Sequence, residues 1–331
     1  MEPMTQMPDG RTARVAVVIP CFRVSDLVLS VIERIPHDVT SIHVVDDCCP
    51  EKTGCYVQTH CQDPRVRVIF HSVNKGVGGA TISGYRDALS AGAQIIVKID
   101  GDGQMDPADI GRFVNPIRTG RADYTKGNRF FDIELLRAMP RARLFGNSIL
   151  SLVSKLASGY WNIADPTNGY TAIHADVLRL LPLDKLDERF FFESDMLFRL
   201  NVARAVVLDI PLEARYGGEI SSLSIAKTSV EFPWKYFTRF SKRIFYSYFL
   251  RDFSPGTVAL VTGALLAAGG STFGVWRWYL SGLTGRPATS GEVMLSALPV
   301  LLGCQLLISA VNFDILNVPS APLHPSLSSR P

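Results

Sequence analysis

The stretch QIIVKIDGDGQ, residues 94–104, joins an apolar run to two carboxylates that are separated by one glycine. Residues 94–99 predict a buried parallel strand, and Met105-Asp106-Pro107 predicts a turn into a helix, because proline is favoured in a first helical turn. Asp100 and Asp102 therefore lie at the carboxyl end of a strand, where open α/β sheets bind ligands. Hard cations such as Mg²⁺ and Mn²⁺ prefer oxygen ligands, so this pair is sufficient to hold a metal against a nucleotide diphosphate.

The residues around this stretch alternate between apolar, β-branched runs and helical patterns. Strands are predicted at 15–19, 42–45 and 66–70, and helices at 25–35 and 78–91. Such alternation predicts an α/β fold with a mostly parallel, Rossmann-like sheet that is covered by helices on both faces.

The composition limits the class of protein. The chain has 331 residues and a formal net charge of +3, with 20% charged and 47% hydrophobic residues. This length leaves room for one domain of roughly 200 residues and a further segment. The small and evenly spread charge argues against a nucleic acid partner, and the apolar excess indicates apolar segments outside the domain.

Two stretches near the C-terminus contain no charged residue, Phe253–Trp276 and Val293–Phe313. Each reaches the ~20 residues that cross a bilayer core as a helix, so transmembrane helices are predicted over 253–279 and 293–314. The alternative is a pair of buried core helices. Small residues at 263–270 are typical of close helix contacts in membranes and would permit homo-oligomerisation through the spans.

The segment 229–252, directly before the first predicted span, predicts an amphipathic juxtamembrane helix with one apolar and one basic face. The apolar residues are Phe237, Phe240, Ile244, Phe245 and Tyr248, and the basic residues are Lys235, Arg239, Lys242 and Arg243. Basic, aromatic helices of this kind lie in the headgroup plane of a bilayer. We therefore expect this helix to hold the preceding domain at a membrane surface, the alternative being that it packs on that domain.

The N-terminal tail, residues 1–13, is polar and lacks the apolar region of a secretory signal. Five basic residues lie at the approach to the first span, whereas only Arg277 and Arg286 lie between the spans. The positive-inside rule then predicts a multi-pass protein of the cell membrane, with its domain and both termini, including the tail 315–331, in the cytoplasm. The six cysteines contain no C-x-x-C pair and agree with a reducing compartment.

Six short motifs occur together in the N-terminal half. They are VIPCF at 18–22, VVDD at 44–47, NKGVGG at 74–79, DGDGQ at 100–104, KGNR at 126–129 and TNGY at 167–170. Their order and spacing resemble those of family 2 glycosyltransferases of the dolichyl-phosphate mannose synthase type, which act on polyprenyl phosphates. This resemblance implies a GT-A catalytic domain over residues 14–228. It also implies inverting transfer of one sugar from a UDP- or GDP-linked donor to a polyprenyl phosphate, with Mg²⁺ or Mn²⁺ as cofactor.

The resemblance also assigns roles to residues. The nucleotide-sugar pocket would be lined by Pro20, Phe22, Asp46, Asp47, Asp100, Gly101, Asn168 and Gly169. The metal ligands would be Asp100, Asp102 and Gln104. The acceptor phosphate would be bound by Arg129, Arg215 and Ser222. Many relatives carry Ser-Lys-Leu where this chain has Ser221-Ser222-Leu223, so Arg215 or Lys227 would replace the missing lysine.

The candidate catalytic residues are Asp102, Arg129, Glu193 and Asp195. By the same resemblance, Glu193 and Asp195 form an acidic pair on a helix that borders the reaction centre. The alternative for this pair is that the two carboxylates stay at the helix surface and pair with Arg199 or Arg189.

Other functions account for parts of this pattern. One is a membrane glycosyltransferase that acts on another lipid or on a glycan acceptor. A processive polysaccharide synthase is disfavoured because the chain has no Q-x-x-R-W element and only two candidate spans. The third hypothesis is a non-catalytic membrane protein that binds a nucleotide sugar. A missing metal carboxylate would support it, but both Asp100 and Asp102 are present.

Overall fold

The computed structural model describes residues 13–131, 141–212 and 225–328. The described residues form two compact units. The first contains those up to Phe240 together with those from Pro319 onward, and the second comprises Ser241–Val318.

A seven-stranded sheet lies at the centre of the first unit, in the order β3-β2-β1-β4-β6-β5-β7. The strands are β1 (Val15–Cys21), β2 (Val39–Asp46), β3 (Val66–Phe70), β4 (Ile95–Lys98), β5 (Tyr124–Asn128), β6 (Thr171–His174) and β7 (Val207–Pro211). All neighbouring strands are parallel except that β6 runs antiparallel to β4 and β5. The predicted, mostly parallel α/β sheet is confirmed.

The direction of β6 positions a loop. An antiparallel strand starts at the edge where its parallel neighbours end, so the residues before Thr171 lie at the carboxyl edge of the sheet. Lys98 of β4 and Lys126 of β5 both pair in register with Thr171. The loop 167–170 therefore reaches the same edge as Asp100, which follows β4.

Helices cover both faces of this sheet. Those before β7 are α1 (Ser25–Glu33), α2 (Thr53–His60), α3 (Gly76–Ser90), α4 (Ile110–Arg118), α5 (Arg141–Ser158), α6 (Ala175–Leu180) and α7 (Phe192–Ala203). After β7, α8 (Ile225–Ile244) begins in the first unit and α11 (His324–Ser328) belongs to it, whereas α9 (Pro255–Thr284) and α10 (Ser290–Leu316) belong to the second unit. Val17 and Ile19 of β1 pack with α1 and α4, whereas Val18 faces Gly84 of α3, as the alternation of side chains along a strand requires.

Two of the basic residues of α8, Lys235 and Arg239, face the first unit, whereas Lys242 is exposed. Lys235 lies 2.6 Å from Asp187, and Arg239 lies 2.5 Å from Asp195. The aromatic side is outside, where Phe237 exposes 57% of its surface. The predicted separation of the two faces is present in this part of α8. However, Lys235 and Arg239 bind carboxylates of the same chain. The structure therefore pairs these two positive charges within the protein, where anionic lipid was the expected partner.

The second unit contains two long helices, α9 and α10, that pack on each other. Each is long and apolar enough, by length and composition, to cross a membrane. A Cβ added at Gly263 would lie 3.0 Å from the carbonyl oxygen of Gly303, and one at Gly270 would lie 2.8 Å from that of Ser296. These two glycines therefore allow close packing of α9 on α10 within the chain, and association of subunits through the spans stays a prediction.

A buried ion pair joins both ends of the second unit. Arg243 contacts Asp314 near the end of α10 at 2.6 and 3.0 Å, and the hydroxyl of Tyr248 donates to Asp314 at 2.8 Å. Tyr248 belongs to a π-helical segment, Phe245–Arg251, that continues α8. Tyr248 is buried rather than part of an exposed apolar face, because its hydroxyl has this carboxylate as a partner.

The segment after α10 returns to the first unit. Asp123, fully buried before β5, accepts hydrogen bonds from the backbone N–H groups of Val206, Leu323 and His324 and contacts Nδ1 of His324 at 2.8 Å. The His324 ring stacks on His174 with 4.3 Å between centroids. Burial and the neighbouring His324 lower the pKa of His174 to about 4, so this ring is neutral at pH 7. The tail is thus held by a satisfied polar cluster.

Candidate functional site

The carboxyl edge of the sheet brings together residues that follow different strands. Asp100 follows β4, and Gly169 precedes β6. A Cβ at Gly169 would lie 2.6 Å from Nζ of Lys98 and 2.8 Å from Oδ2 of Asp100. Only a glycine allows the backbone to approach this ion pair so closely, which explains the residue type at position 169.

Lys98 forms the centre of a buried charge cluster. Its ammonium lies 3.0 Å from Oδ1 of Asp100 and 3.1 Å from Oε1 of Glu193, and its side chain is 1% exposed. Burial by itself would lower the pKa of Lys98, but the two carboxylates outweigh burial and raise this pKa above its ordinary value. Lys98 is therefore a permanent cation beside the first carboxylate of the DGDGQ motif.

The rest of the motif is more open. Asp102 is half-buried, and its Oδ1 accepts a hydrogen bond from the backbone N–H of Gln104 at 3.0 Å. Gln104 is exposed, and Gly103 has φ +75° with no atom within 4 Å of an added Cβ. Gly101 is buried close to Val24 and Cys21. The motif thus turns over an open surface directly after the buried strand.

These residues fit a divalent cation of the kind that is shared with a ligand. Within the described ranges, no group of three or more His, Cys, Asp or Glu side chains is placed to hold a metal alone. Asp100 is 30% exposed and Asp102 half-buried, and Mg²⁺ or Mn²⁺ often binds through one or two carboxylates together with substrate phosphates. The donor set is all oxygen, which suits hard cations such as Mg²⁺ and Mn²⁺.

The two aspartates at the end of β2 bind backbone groups. Asp46 accepts from the N–H groups of Cys49 at 2.7 Å and Gly54 at 2.6 Å. Asp47 accepts from those of Lys75 at 2.8 Å and Gly76 at 2.7 Å. Both carboxylates are buried and order the loops that flank the β2 end. Their part in the nucleoside pocket stays a prediction.

The other predicted residues of the nucleoside pocket differ in access. Pro20 is buried within β1, whereas Phe22, just after that strand, exposes 44% of its surface. An exposed aromatic ring at the ligand-binding edge is suited to stacking on a base. Asn168 is buried, and its side-chain oxygen accepts from the N–H of Tyr170 at 2.9 Å, so it shapes the loop before β6.

Arg129 is held by a carboxylate that sequence analysis did not identify. Its Nε donates to Asp165 at 2.7 Å and its Nη2 at 3.2 Å, and 39% of the arginine side chain stays exposed. Burial would raise the pKa of Asp165, but the bonds from Arg129 outweigh it and hold the pKa below its usual range. Asp165 also contacts Thr167 and Asn168, so one segment links Arg129 to the loop at Gly169.

Two further charged residues lie near this loop, the buried Lys126 and the half-buried Asp209. Lys126 donates to the carbonyl oxygen of Asn168, and burial lowers its pKa to about 8. Asp209, opposite Lys126 in register, has its pKa raised to about 6 by burial and accepts from the N–H of Ala164 at 2.9 Å. A lysine in an otherwise apolar strand was the available sequence signal for Lys98, because such a group needs a partner. The strand that contains Lys126, YTKGN, is not apolar and gave no such signal.

The acidic pair on α7 separates into two roles. Glu193 contacts Lys98 and so borders the Asp100 cluster. Asp195 is fully buried and binds Arg239 through Oδ1 and Arg199 through Oδ2. These contacts favour pairing with an arginine for Asp195, and of the two carboxylates only Glu193 lies near Asp100, through Lys98. The predicted acceptor residues Arg215 and Ser222 lie outside the described residues.

Comparison with known proteins gives concordant matches. A sequence model described as Glycosyl transferase family 2 matches residues 16–181. The undecaprenyl-phosphate mannosyltransferase of Micrococcus luteus is 30% identical over 203 residues, which are 60% of this chain and 82% of that protein. The UDP-N-acetylglucosamine–dolichyl-phosphate N-acetylglucosaminyltransferase of Methanococcus voltae is 27% identical over 238 residues, which are 67% of this chain and 93% of that protein.

A solved structure is also similar. It is glucosyl-3-phosphoglycerate synthase from Mycobacterium tuberculosis, in complex with Mn²⁺, uridine diphosphate and glucosyl-3-phosphoglycerate. The TM-score is 0.51 at 17% identity, and the match covers 70% of this chain and 80% of that one. This likeness shows a GT-A-like fold.

Proposed function

The chain belongs to glycosyltransferase family 2, and we propose that it transfers one sugar from a nucleotide sugar to a polyprenyl phosphate, with inversion at the anomeric carbon. The observation that carries this proposal is the segment 165–169, which touches both halves of the candidate site. Asp165 binds Arg129, the candidate acceptor-phosphate residue, and Gly169 lies against Asp100, the first carboxylate of the metal motif. Donor and acceptor groups would therefore meet across one short loop.

The chemistry requires positioning more than base catalysis. A phosphate monoester has a second pKa near 6, so the acceptor oxygen is already anionic at pH 7. The exposed part of the Arg129 guanidinium would attract this anion and orient it for in-line attack. Asp100 and Asp102, with Gln104 as a further oxygen donor, would hold Mg²⁺ or Mn²⁺, which supplies charge stabilisation to the departing nucleoside diphosphate. Lys98 contacts Asp100 from the buried side and is itself paired with Glu193.

The names of the relatives support the acceptor class and leave the sugar open. One acts on undecaprenyl phosphate with mannose, and the other on dolichyl phosphate with N-acetylglucosamine. The Mn²⁺ and uridine diphosphate in the structural neighbour support a metal-assisted donor site. The base of the donor, UDP or GDP, and the choice between Mg²⁺ and Mn²⁺ are therefore to be tested together.

The test is an incubation of purified protein with a polyprenyl phosphate, Mn²⁺ or Mg²⁺, and a panel of UDP- and GDP-linked sugars. We expect one donor to give a polyprenyl-phosphate sugar of the corresponding mass and a free nucleoside diphosphate. Transfer only to another lipid or a glycan would favour the second acceptor class. Binding of a nucleotide sugar without any product would favour a non-catalytic protein.

We further propose that the protein lies in the cell membrane. The first unit, called the catalytic unit from here on, and both termini would lie in the cytoplasm. Two observations support this topology. α9 and α10 together make an even number of candidate spans, and the segment after α10 packs on the catalytic unit through Asp123 and His324. An even number of spans would put both ends of the helix pair on one side of the membrane, and the five basic residues at the approach to α9 favour the cytoplasmic side.

This topology predicts the outcome of cysteine labelling in sealed cells. The exposed native cysteines Cys48, Cys55 and Cys304 are first replaced by serine, and single cysteines are then placed at the exposed positions Thr284 and Thr119. A membrane-impermeant maleimide should label Thr284→Cys in intact cells and Thr119→Cys only after permeabilisation. Labelling of Thr119→Cys in intact cells would show that the proposed orientation is wrong.

A further inference from the structure

Lys98 is a buried cation that lies just before the DGDGQ motif in the sequence. It is the last residue of β4, two positions before Asp100, in a strand otherwise made of isoleucine and valine. Burying an ammonium is costly unless carboxylates compensate it, and Lys98 has two of them at 3.0 and 3.1 Å. A methionine or leucine would fill this place in the core without that cost, so we looked for what the charge does here.

The geometry around Lys98 restrains Asp100. The ammonium binds Oδ1, and Oδ2 lies against Gly169, where no side chain intervenes. Asp100 follows the strand and is 30% exposed, so without Lys98 its side chain has free rotamers toward solvent. The contact with Lys98 therefore selects one orientation of the carboxylate at the edge of the sheet.

Glu193 provides a fixed anchor for the ammonium. It lies in the first turn of α7, and the next two residues, Ser194 and Asp195, both contact α8. Ser194 and Tyr236 share a hydrogen bond of 2.8 Å between their hydroxyl groups, and Asp195 binds Arg239. The Lys98 ammonium thus contacts on one side a helix that is bound to α8, and on the other side Asp100.

We propose that Lys98 is a positioning residue, anchored by Glu193, that fixes the orientation in which Asp100 meets the metal and diphosphate of the donor. This inference rests on the proposed function, because it assigns the purpose of the cluster to the donor site. Lys98 acts through Asp100 and does not touch the substrate. The cluster contains three carboxylates and one ammonium, those of Asp100, Asp102, Glu193 and Lys98. Its formal charge is therefore two negative charges, which would balance one divalent cation.

The decisive variant is the double substitution Lys98→Met with Glu193→Gln. Lys98→Met alone leaves Asp100 and Glu193 close together without their cation, so it is expected to unfold at a lower temperature. The double variant removes one positive and one negative charge, so the net charge of the cluster is unchanged. A defect beyond that of Glu193→Gln alone then reports the position of Asp100 and not the net charge of the cluster.

Mn²⁺ binding to the protein is measured in the presence of UDP and, separately, of GDP. The electron paramagnetic resonance signal of the free ion reports how much Mn²⁺ stays unbound. For the double variant we expect a thermal midpoint near that of the unaltered protein. We expect Mn²⁺ binding in the presence of the effective nucleotide to weaken about fivefold to tenfold, and kcat to fall by a similar factor. Glu193→Gln alone, which leaves the ammonium on Asp100, should lose less than the double variant.

Arg65→Met is the matched control, because Arg65 also pairs with a carboxylate, Asp63, at the far end of the sheet. It should lower the thermal midpoint and leave Mn²⁺ binding unchanged. A double variant with unaltered Mn²⁺ binding and kcat would overturn the inference, since Lys98 would then only neutralise Glu193. Failure of the unaltered protein to bind Mn²⁺ with either nucleotide would instead count against the proposed function.

Discussion

Replacing Asp102 by asparagine is expected to lower turnover at least ~10²-fold while the protein stays folded. Asparagine keeps the size of the side chain and the oxygen that accepts from the N–H of Gln104, so the turn after Asp100 is preserved. What is lost is the negative charge that would hold the cation against the departing diphosphate. Asp102 is half-buried, so the change should not disturb the core.

The measurement is the initial rate of sugar transfer at saturating donor, together with the thermal midpoint. Asp109→Asn is the matched control, because Asp109 pairs with Arg112 on the surface a few residues later in the chain. This control should stay within about twofold of the unaltered rate, as surface pairs contribute little. EDTA should abolish transfer by the unaltered protein, and Mn²⁺ or Mg²⁺ should restore it. An active Asp102→Asn variant and activity that survives EDTA would contradict the metal assignment.

The sequence could predict the strands and their ligand edge because both depend on local pattern. The apolar runs at β1, β2 and β3 fall where the structure has these strands, although β1 and β2 extend beyond the predicted bounds. The direction of β6 was beyond sequence reasoning, since a four-residue strand has no local signal for its orientation. Yet that direction brings the loop at Gly169 to Asp100.

Side-chain partners were harder to predict than the edge itself. Asp46 and Asp47 bind backbone N–H groups of the neighbouring loops, and the motif at 44–47 did not predict these contacts. Such pairings depend on loop conformations that the sequence does not specify. The reverse holds for Lys98, whose isolated charge in an apolar strand indicates a buried partner but not which carboxylate it is.

The juxtamembrane helix shows the same limit. Its two faces follow from the helical period, but which face points outward depends on the charge of the surface on which it packs. Asp187 and Asp195 provide that charge, so Lys235 and Arg239 face inward. The contact with a membrane would then depend on the aromatic side of α8.

A second exposed apolar stripe lies on α5, which packs beside α8. Phe145, Ile149 and Leu152 expose 68%, 47% and 52% of their surfaces at a spacing of one helical turn. α5 and α8 meet through a small core that includes Leu150 and Tyr236. The two stripes would thus make the apolar surface of the catalytic unit larger than the sequence indicated, and a surface of this kind is typical of a membrane or partner contact.

Replacing Trp234, Phe237 and Phe240 together by serine is expected to lower transfer to a long-chain polyprenyl phosphate at least about 30-fold. These side chains are 67%, 57% and 36% exposed, so their loss should leave the first unit folded. A long-chain acceptor keeps its tail in the bilayer and presents only its phosphate, so the site must be held near the headgroups. Burying one large apolar side chain contributes ~1.5–3 kcal/mol, and a loss of about 2 kcal/mol in docking corresponds to roughly 30-fold.

A short, water-soluble prenyl phosphate separates docking from catalysis, because it reaches the site without the bilayer. The triple variant should use it at nearly the unaltered rate and with the same donor KM. Leu180→Ser with Leu208→Ser, which removes two exposed apolar side chains elsewhere on the unit, should leave both acceptors unaffected. Equal losses with both acceptors would assign the aromatic side of α8 to folding. Unchanged rates with both would mean that α9 and α10 position the enzyme without it, since docking would then need no apolar contact from the catalytic unit.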